Sequence, residues 1–232
     1  MLGQVPIEQK EQIFTAQHNV SVAEANKVAA ERARDENQAF VALADDELAA
    51  AKARMEAAKS GMELGARTRD APTLRTAERQ HDVAMRQLAA ARSKKDYADK
   101  LAQLRDGEVA LTEREVELAN QDLAMARASA LRRHGLNPAE RFETVLARRS
   151  SARAAVADEQ RRLARLRDEV DSTKVAWQQR AQVYNVAARD LASDGATIHA
   201  PAGARTIRPE PLRVHVPEPV APLPVDDGYR NR

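Results

Sequence analysis

The chain has 232 residues, of which 31% are charged, 43% are hydrophobic and only 3% are aromatic. Its 37 Lys and Arg residues almost balance its 35 Asp and Glu residues, so the formal net charge is +2. These values argue against an aromatic-lined ligand pocket and against a charge that would steer the whole chain to nucleic acid, and the lack of cysteine excludes thiolate chemistry. About a fifth of the residues are alanine, which together with Leu, Glu, Arg and Lys is typical of long helices and coiled coils.

Proline placement divides the chain into three predicted helices, because proline is tolerated in the first turn of a helix and not in its interior. The prolines that precede residue 201 are Pro6, Pro72 and Pro138. The intervals between them predict helices over about 21–66, 72–134 and 138–192. Residues 1–20 form either a short separate helix or an extension of the first long one.

The first and third predicted helices carry hydrophobic residues at every seventh position, which is the pattern of a coiled-coil seam. In the first helix, alanines follow this column three residues later. The second helix is less regular, and its heptad phase shifts near Lys94 and Lys95. Gly107 allows a local bend in that helix. The predicted seam residues are Val41, Leu48, Met55 and Met62 in the first helix, and Val156, Leu163, Val170, Trp177, Tyr184 and Leu191 in the third.

The turn between the second and third helices carries a strong local signal. Gly135 stands where a left-handed helix C-cap is expected, and Asn137, Pro138 and Glu140 fit the N-cap, first-turn proline and capping-box glutamate of the next helix. A hairpin at this turn would bring residues whose numbers sum to about 271 opposite each other.

These features predict an all-α fold, an elongated antiparallel three-helix coiled coil (up-down-up) over residues 21–195 with a Pro-rich extended or disordered tail over 196–232. A single hairpin plus a separate helix, closed by oligomerisation, is the alternative. Charge supports the fold-back. The expected facing bands are the acidic residues Glu108, Glu113, Glu115, Glu117 and Asp122 with the basic residues Arg148, Arg149, Arg153, Arg161, Arg162 and Arg165, and Asp45, Asp46 and Glu47 with Arg86 and Arg92.

Few residues suggest chemistry. Glu78 and His81 have the i, i+3 spacing of a di-iron helix-bundle site, but such a site needs a second Glu-x-x-His pair, and the sequence has none. We therefore expect His81 to be a seam residue, and we expect no metal ion, no cofactor and no enzyme activity.

Two segments are candidates for contact with partners. Five arginines lie near the second turn. One interpretation is that they contact phosphates or lipid headgroups, and the other is that they are solvated and partly paired with acidic residues of the second helix. The five arginines are Arg132, Arg133, Arg141, Arg148 and Arg149. In the tail, Pro219 and Pro222 have the minimal PxxP spacing of a peptide ligand, and the alternative for this tail is a plain linker.

The segment Thr197-Ile198-His199-Ala200-Pro201-Ala202-Gly203 resembles the sequence with which periplasmic adaptor (membrane fusion) proteins leave their helical hairpin and enter the second half of a lipoyl-like domain. In that family the hairpin docks onto an outer-membrane channel protein. The sequence departs from the pattern in its three predicted helices instead of two, with neither a lipoyl half before them nor a β-barrel after them. The Ala-rich helices and Pro-rich tail also resemble coiled-coil lipoproteins of the bacterial envelope.

We expect a non-enzymatic structural or interaction protein, a coiled-coil rod that acts as a scaffold, spacer or bridge between partner proteins and is open to self-association. The alternative is a bacterial envelope adaptor or lipoprotein whose helical hairpin docks on a membrane-associated complex. A membrane surface or envelope complex is then a partner, whereas nucleic acid is not expected. Met1 as the native start favours the cytoplasm, and a removed signal or lipid-anchor segment favours the periplasm or envelope.

Overall fold

The computed structural model describes residues 7–68, 70–136 and 140–193. In this part of the chain there are three α-helices and no strand: α1 (Ile7–Thr68), α2 (Ala71–Arg133) and α3 (Phe142–Ser193). The predicted all-α class is therefore confirmed for these residues. α1 begins well before residue 21, so the described residues of the 1–20 segment extend that helix. The Pro-rich tail, 196–232, lies outside the described residues.

Both ends of α2 carry recognisable local features. Asp70 is the N-cap residue, its carboxylate accepts a hydrogen bond from the Thr73 hydroxyl, and Pro72 lies in the first turn. At the other end Gly135 has a φ of 68°, which a residue with a Cβ rarely adopts. The predicted left-handed cap is thus confirmed.

The backbone at this cap satisfies carbonyl groups that the helix leaves unpaired. The N–H of Gly135 donates to the carbonyl of Arg132 at 3.0 Å, and the N–H of Leu136 donates to the carbonyl of Leu131 at 3.0 Å. These two bonds form the Schellman motif. The predicted N-cap of the third helix at Asn137 and Pro138 lies outside the described residues, and α3 begins at Phe142.

α2 is the central helix, because it packs along both α1 and α3. The antiparallel direction follows from cross-helix contacts. Lys100 of α2 lies 2.6 Å from Glu169 of α3, and Asp122 of α2 accepts a hydrogen bond from Arg149 of α3. Both pairs fit the register that a hairpin at Gly135 predicts.

The buried face of α1 is narrower than the heptad pattern in the sequence predicts. Apart from Ile13, its buried residues lie at multiples of seven from one another: Ala16, Ala23, Asn37, Ala44, Ala51 and Gly65. The predicted seam residues of α1 are only half-buried: Val41, Leu48, Met55 and Met62. We call these six residues the small column of α1. They lie deeper than the predicted seam residues because mostly small side chains let the backbones of α1 and α2 approach closely.

The predicted column of α3 lies against α2. Its buried members are Val156, Leu163, Val170 and Leu191, and its half-buried members are Trp177 and Tyr184. Leu163 is 1% exposed, which makes it the largest side chain in the described residues that is almost fully buried. The heptad column of α3 therefore describes the face that the helix presents to α2.

The largest side chains of the core meet where α1, α2 and α3 come together. Tyr97 of α2 is 3% exposed and stacks on Trp177 of α3, with ring centroids 5.5 Å apart and an interplanar angle of 9°. Phe40 of α1 meets Tyr97 edge-on, with centroids 5.8 Å apart. We call Phe40, Tyr97 and Trp177 the aromatic node.

A lysine lies beside the aromatic node. Lys94 is 6% exposed, and its Nζ is 2.6 Å from the Glu47 carboxylate, 5.5 Å from the Phe40 ring centroid and 5.9 Å from that of Trp177. The two rings face the ammonium at distances typical of cation–π contacts. The phase shift noted in the second helix thus coincides with a buried charge.

Gly107 serves packing. α2 continues as one α-helix through this residue. A Cβ at Gly107 would lie 2.8 Å from Leu163 Cδ2, closer than such atoms approach in proteins. The glycine therefore makes room for the most deeply buried leucine of α3, and this contact accounts for it without the bend that the sequence allowed.

The charge pairing predicted between α2 and α3 is only partly correct. Arg149 pairs with Asp122, as expected, but Glu113 pairs with Lys27 of α1 at 3.0 Å instead of with α3. Arg162 pairs with Glu159 on its own helix at 3.1 Å. Neighbours three or four residues away on the same helix are always within reach, so they capture many of the long side chains.

The bands between α1 and α2 also differ from the expectation. Asp45 pairs with Lys95 at 3.1 Å and Glu47 with Lys94. Arg86 pairs instead with Asp82 on its own helix at 2.9 Å. The prediction for Arg86 was wrong for the same reason, since an acidic residue lies one turn away.

Candidate interaction surface at the arginine end

One end of the bundle is formed by the beginnings of α1 and α3 and by the end of α2. Ile13 of α1 packs against Ala130 of α2, and the Arg132 guanidinium lies 5.0 Å from the centroid of the Phe142 ring. Two helix N-termini and one C-terminus therefore meet here. Because the helix dipole places partial positive charge at an N-terminus, this end favours anions.

We call this the arginine end, defined by Arg127, Arg132, Arg133, Arg141 and Arg148, with Arg149 directly after Arg148 on α3. Arg132 and Arg133 form the last turn of α2 and are exposed. Arg141 is exposed just before α3. The structure thus places the predicted arginine cluster on three adjoining segments of one end.

The arginines differ in how they are held. Arg148 pairs with Glu140 at 2.8 Å, and the half-buried Arg149 pairs with Asp122 across the α2–α3 interface. Arg132 lies over the Phe142 ring in a cation–π contact and is exposed. Arg149 is thus a packing residue, whereas Arg132 and Arg141 present charge to solvent.

Exposed apolar side chains lie at the same end. Phe14 is 58% exposed and Leu146 is 46% exposed. Each follows a buried residue, Ile13 and Val145 respectively, so its helix directs it away from α2. Neither was predicted from the sequence. For Phe14 a signal existed, because it directly follows Ile13, which extends the heptad column of Val41 towards the start of the helix.

The two ends of the bundle differ in charge. At the arginine end, residues 7–13 and 127–148 hold six Lys or Arg residues and four Asp or Glu residues. At the opposite end, residues 61–82 and 181–193 hold five of each. The second end also carries two helix C-termini and one N-terminus. Side-chain charge and helix dipoles therefore both make the arginine end the more positive one.

A shallow cavity of about 210 Å³ lies between α1 and α2, away from both ends. It is lined by Arg34, Asn37, Gln38, Val41, Ala102 and Asp106. Asn37 is 8% exposed and is the polar member of the small column of α1. A buried asparagine at a seam position is a known determinant of helix register, so packing alone explains this residue.

His81 and the tail prolines are the other residues that the sequence singled out. His81 is half-buried, and no group of three metal-binding side chains occurs in the described ranges. Within those ranges no helix combines the length and apolar character that crossing a bilayer requires. Pro219 and Pro222 lie outside the described residues.

The resemblance of Thr197–Gly203 to adaptor proteins also falls outside the described residues and stays a prediction, as does the likeness to envelope lipoproteins. No protein-family model, no curated protein and no solved structure matches this chain.

Proposed function

We propose that this protein is a non-enzymatic scaffold, an elongated antiparallel coiled-coil rod that spaces or bridges partner proteins. The lengths of the helices support this proposal. They contain 62, 63 and 52 residues. At 1.5 Å per residue, each is about 80 to 95 Å long, several times the length of a usual globular helix.

The observation that carries the proposal is the way the chain uses its bulky residues. Phe40, Tyr97 and Trp177 all meet in the aromatic node, where they join the three helices. Elsewhere the buried residues of α1 are mostly alanines at heptad spacing. Aromatic side chains that join three helices at one level, together with small residues at heptad spacing along α1, are suited to holding long helices in a fixed register.

Circular dichroism and small-angle X-ray scattering of the full chain test the proposed rod. We expect a strongly helical spectrum and a radius of gyration of at least about 26 Å, the value for a rod about 90 Å long. A compact domain of this size would have a radius of gyration of about 17 Å. A measured value near the compact one would refute the rod, and light scattering on the same sample would give the number of chains.

The proposed bridging role needs its own test. Photo-cross-linkers placed at Arg141 and at Arg67, which lie at opposite ends, should capture different partners in cells of the source organism. If both positions capture the same partner, or neither captures any, the protein does not bridge two components through its ends. Helicity of each labelled variant is checked first, so that misfolding is not mistaken for lack of a partner.

The alternative, an envelope adaptor that docks through its hairpin end, gains support from the arginine end. Its exposed arginines and exposed Phe14 are features of a contact surface. The start of the natural gene separates the two proposals. A signal peptide with a lipid-anchor cysteine encoded upstream would favour the envelope adaptor.

A further inference from the structure

We propose that the arginine end binds the surface of an anionic lipid bilayer. This inference rests on the proposed scaffold function, because it names the partner at one end of the scaffold. It is argued from three features that meet there: exposed arginines, helix N-termini and exposed apolar side chains.

The first two features provide attraction to an anionic surface. Arg132 and Arg141 are exposed and form no ion pair with the described residues. They adjoin the N-terminus of α3, and α1 also begins at this end. Basic side chains and helix N-termini both lower the energy of nearby phosphate groups.

The third feature provides insertion. Phe14 lies seven residues into α1 and Leu146 four residues into α3. At 1.5 Å per residue these positions are about 10 Å and about 6 Å from the helix starts. Both apolar side chains therefore lie at the end of the bundle that carries the exposed arginines, and apolar side chains beside basic ones are what helices at a membrane interface insert below the headgroups.

The combination fits a bilayer better than a nucleic acid. Nucleic acids are bound through rows of phosphate contacts, and their affinity depends mainly on the number of basic residues. This end has only a small excess of basic residues over acidic ones, and it exposes a phenylalanine and a leucine that a phosphate backbone would not contact. A bilayer surface offers partners for both the arginines and the apolar side chains.

Vesicle co-sedimentation with the full chain tests the inference. We use vesicles of phosphatidylcholine with about 30% phosphatidylglycerol and vesicles of phosphatidylcholine alone, and we expect binding to the former only. The double variant Arg132→Gln/Arg141→Gln should bind the anionic vesicles about 30-fold more weakly, because each basic residue near such a surface contributes about fivefold. The matched control, Arg67→Gln/Arg75→Gln at the other end, should bind as the natural chain does.

Two further variants separate insertion from charge. Phe14→Ala should weaken vesicle binding severalfold, whereas Leu64→Ala should not, although Leu64 is 64% exposed at the other end. The inference is overturned if anionic vesicles are not bound, if the Arg67→Gln/Arg75→Gln control loses as much binding as the Arg132→Gln/Arg141→Gln variant, or if Phe14→Ala binds normally.

A nucleic-acid partner would give a different result. In that case duplex DNA of about 20 base pairs would displace the protein from vesicles, and Phe14→Ala would leave DNA binding unchanged. This outcome would also overturn the inference. Failure of the scaffold proposal is a separate outcome. It would appear as a compact scattering profile of the same protein samples measured without vesicles.

Discussion

Lys94 of α2 and Glu47 of α1 form an ion pair of 2.6 Å that is largely removed from water, with side chains 8% and 23% exposed. The second carboxylate oxygen of Glu47 is buried and has no hydrogen-bond partner among the described residues. Such a pair gains little net stability, because both groups lose hydration. A change of register would separate the two charges inside the core, so the pair can specify how α1 and α2 align.

Removing one member of this pair should be costly. Glu47→Gln leaves the Lys94 ammonium without a counter-charge, and we expect the free energy of unfolding to fall by about 1–3 kcal/mol, less than for a fully buried pair because Glu47 is partly exposed. Urea unfolding measures this. Asp82→Asn, in the exposed pair with Arg86, is the control and should cost less than about 0.5 kcal/mol.

Replacing both members tests the argument from the other side. Glu47→Leu/Lys94→Met removes both charges and should be neutral or slightly stabilising, since buried pairs are often no better than apolar residues of similar size. If the double variant were as unstable as Glu47→Gln, the cost would come from lost packing, and the argument from an uncompensated charge would be wrong.

Gly107 and Gly61 give a second prediction, since both lie within helices but in different surroundings. A Cβ at Gly61 meets nothing within 4 Å, so Gly61→Ala should stabilise by up to about 1 kcal/mol through helix propensity alone. At Gly107 the new methyl group would press on Leu163, which is 1% exposed and has little room to move. Overpacking costs about 1–3 kcal/mol, so Gly107→Ala should be neutral to destabilising by about 2 kcal/mol.

Thermal unfolding of both glycine variants and of Leu163→Ala checks this prediction. If Leu163 is the obstacle, Gly107→Ala should cost nothing further in a chain that already carries Leu163→Ala, because the leucine side chain is gone. Additive effects in the double variant would show that the two residues are not coupled and that Gly107 is required for another reason.

The helical columns could be predicted because they depend only on spacing along one helix. Leu163 and Val170 are buried where the seven-residue repeat placed them, and Gly135 adopts the left-handed conformation that its position after the second helix suggested. The register of the α2–α3 hairpin then follows from the position of the turn. Each of these features needs knowledge of one helix or one turn.

The buried lysine and the actual ion pairs could not be predicted in this way. Lys94 is stabilised by Glu47 and by two rings from α1 and α3, so its burial requires that all three helices are already placed. The partner of Arg86 depends on a competition between a neighbour on its own helix and a more distant residue on another. Spacing identifies the candidates, but the distances between side chains decide which of them pair.

Glu115 gives a prediction for pH. Its burial raises the pKa of the carboxyl group above the ordinary value. At a pH well below the ordinary pKa of a glutamic acid both states hold the proton, and Glu115 has no effect on stability. As the pH rises further, the unfolded state loses its proton first, so ionisation favours unfolding until the folded state has also ionised.

Glu115→Gln should therefore stabilise the protein at pH 7, and the gain should disappear near pH 3. Urea unfolding at both pH values gives the comparison. Glu117→Gln, an exposed residue that pairs with Arg114 at 3.2 Å, is the control and should change stability by less than about 0.5 kcal/mol at pH 7. A gain for Glu115→Gln that is equal at both pH values would contradict the assignment to burial of the carboxylate.

The stacked pair Tyr97 and Trp177 gives the last prediction, because it links α2 to α3 at the aromatic node. Tyr97→Leu and Trp177→Leu should each destabilise the protein, and a double-mutant cycle should reveal a coupling of about 0.5–1.5 kcal/mol from the ring contact itself. Tyr184, one heptad beyond Trp177, is the control, and a cycle of Tyr97→Leu with Tyr184→Leu should show a coupling near zero. Equal couplings in the two cycles would mean that Trp177 contributes only apolar area, and the node would then have no special part in joining α2 to α3.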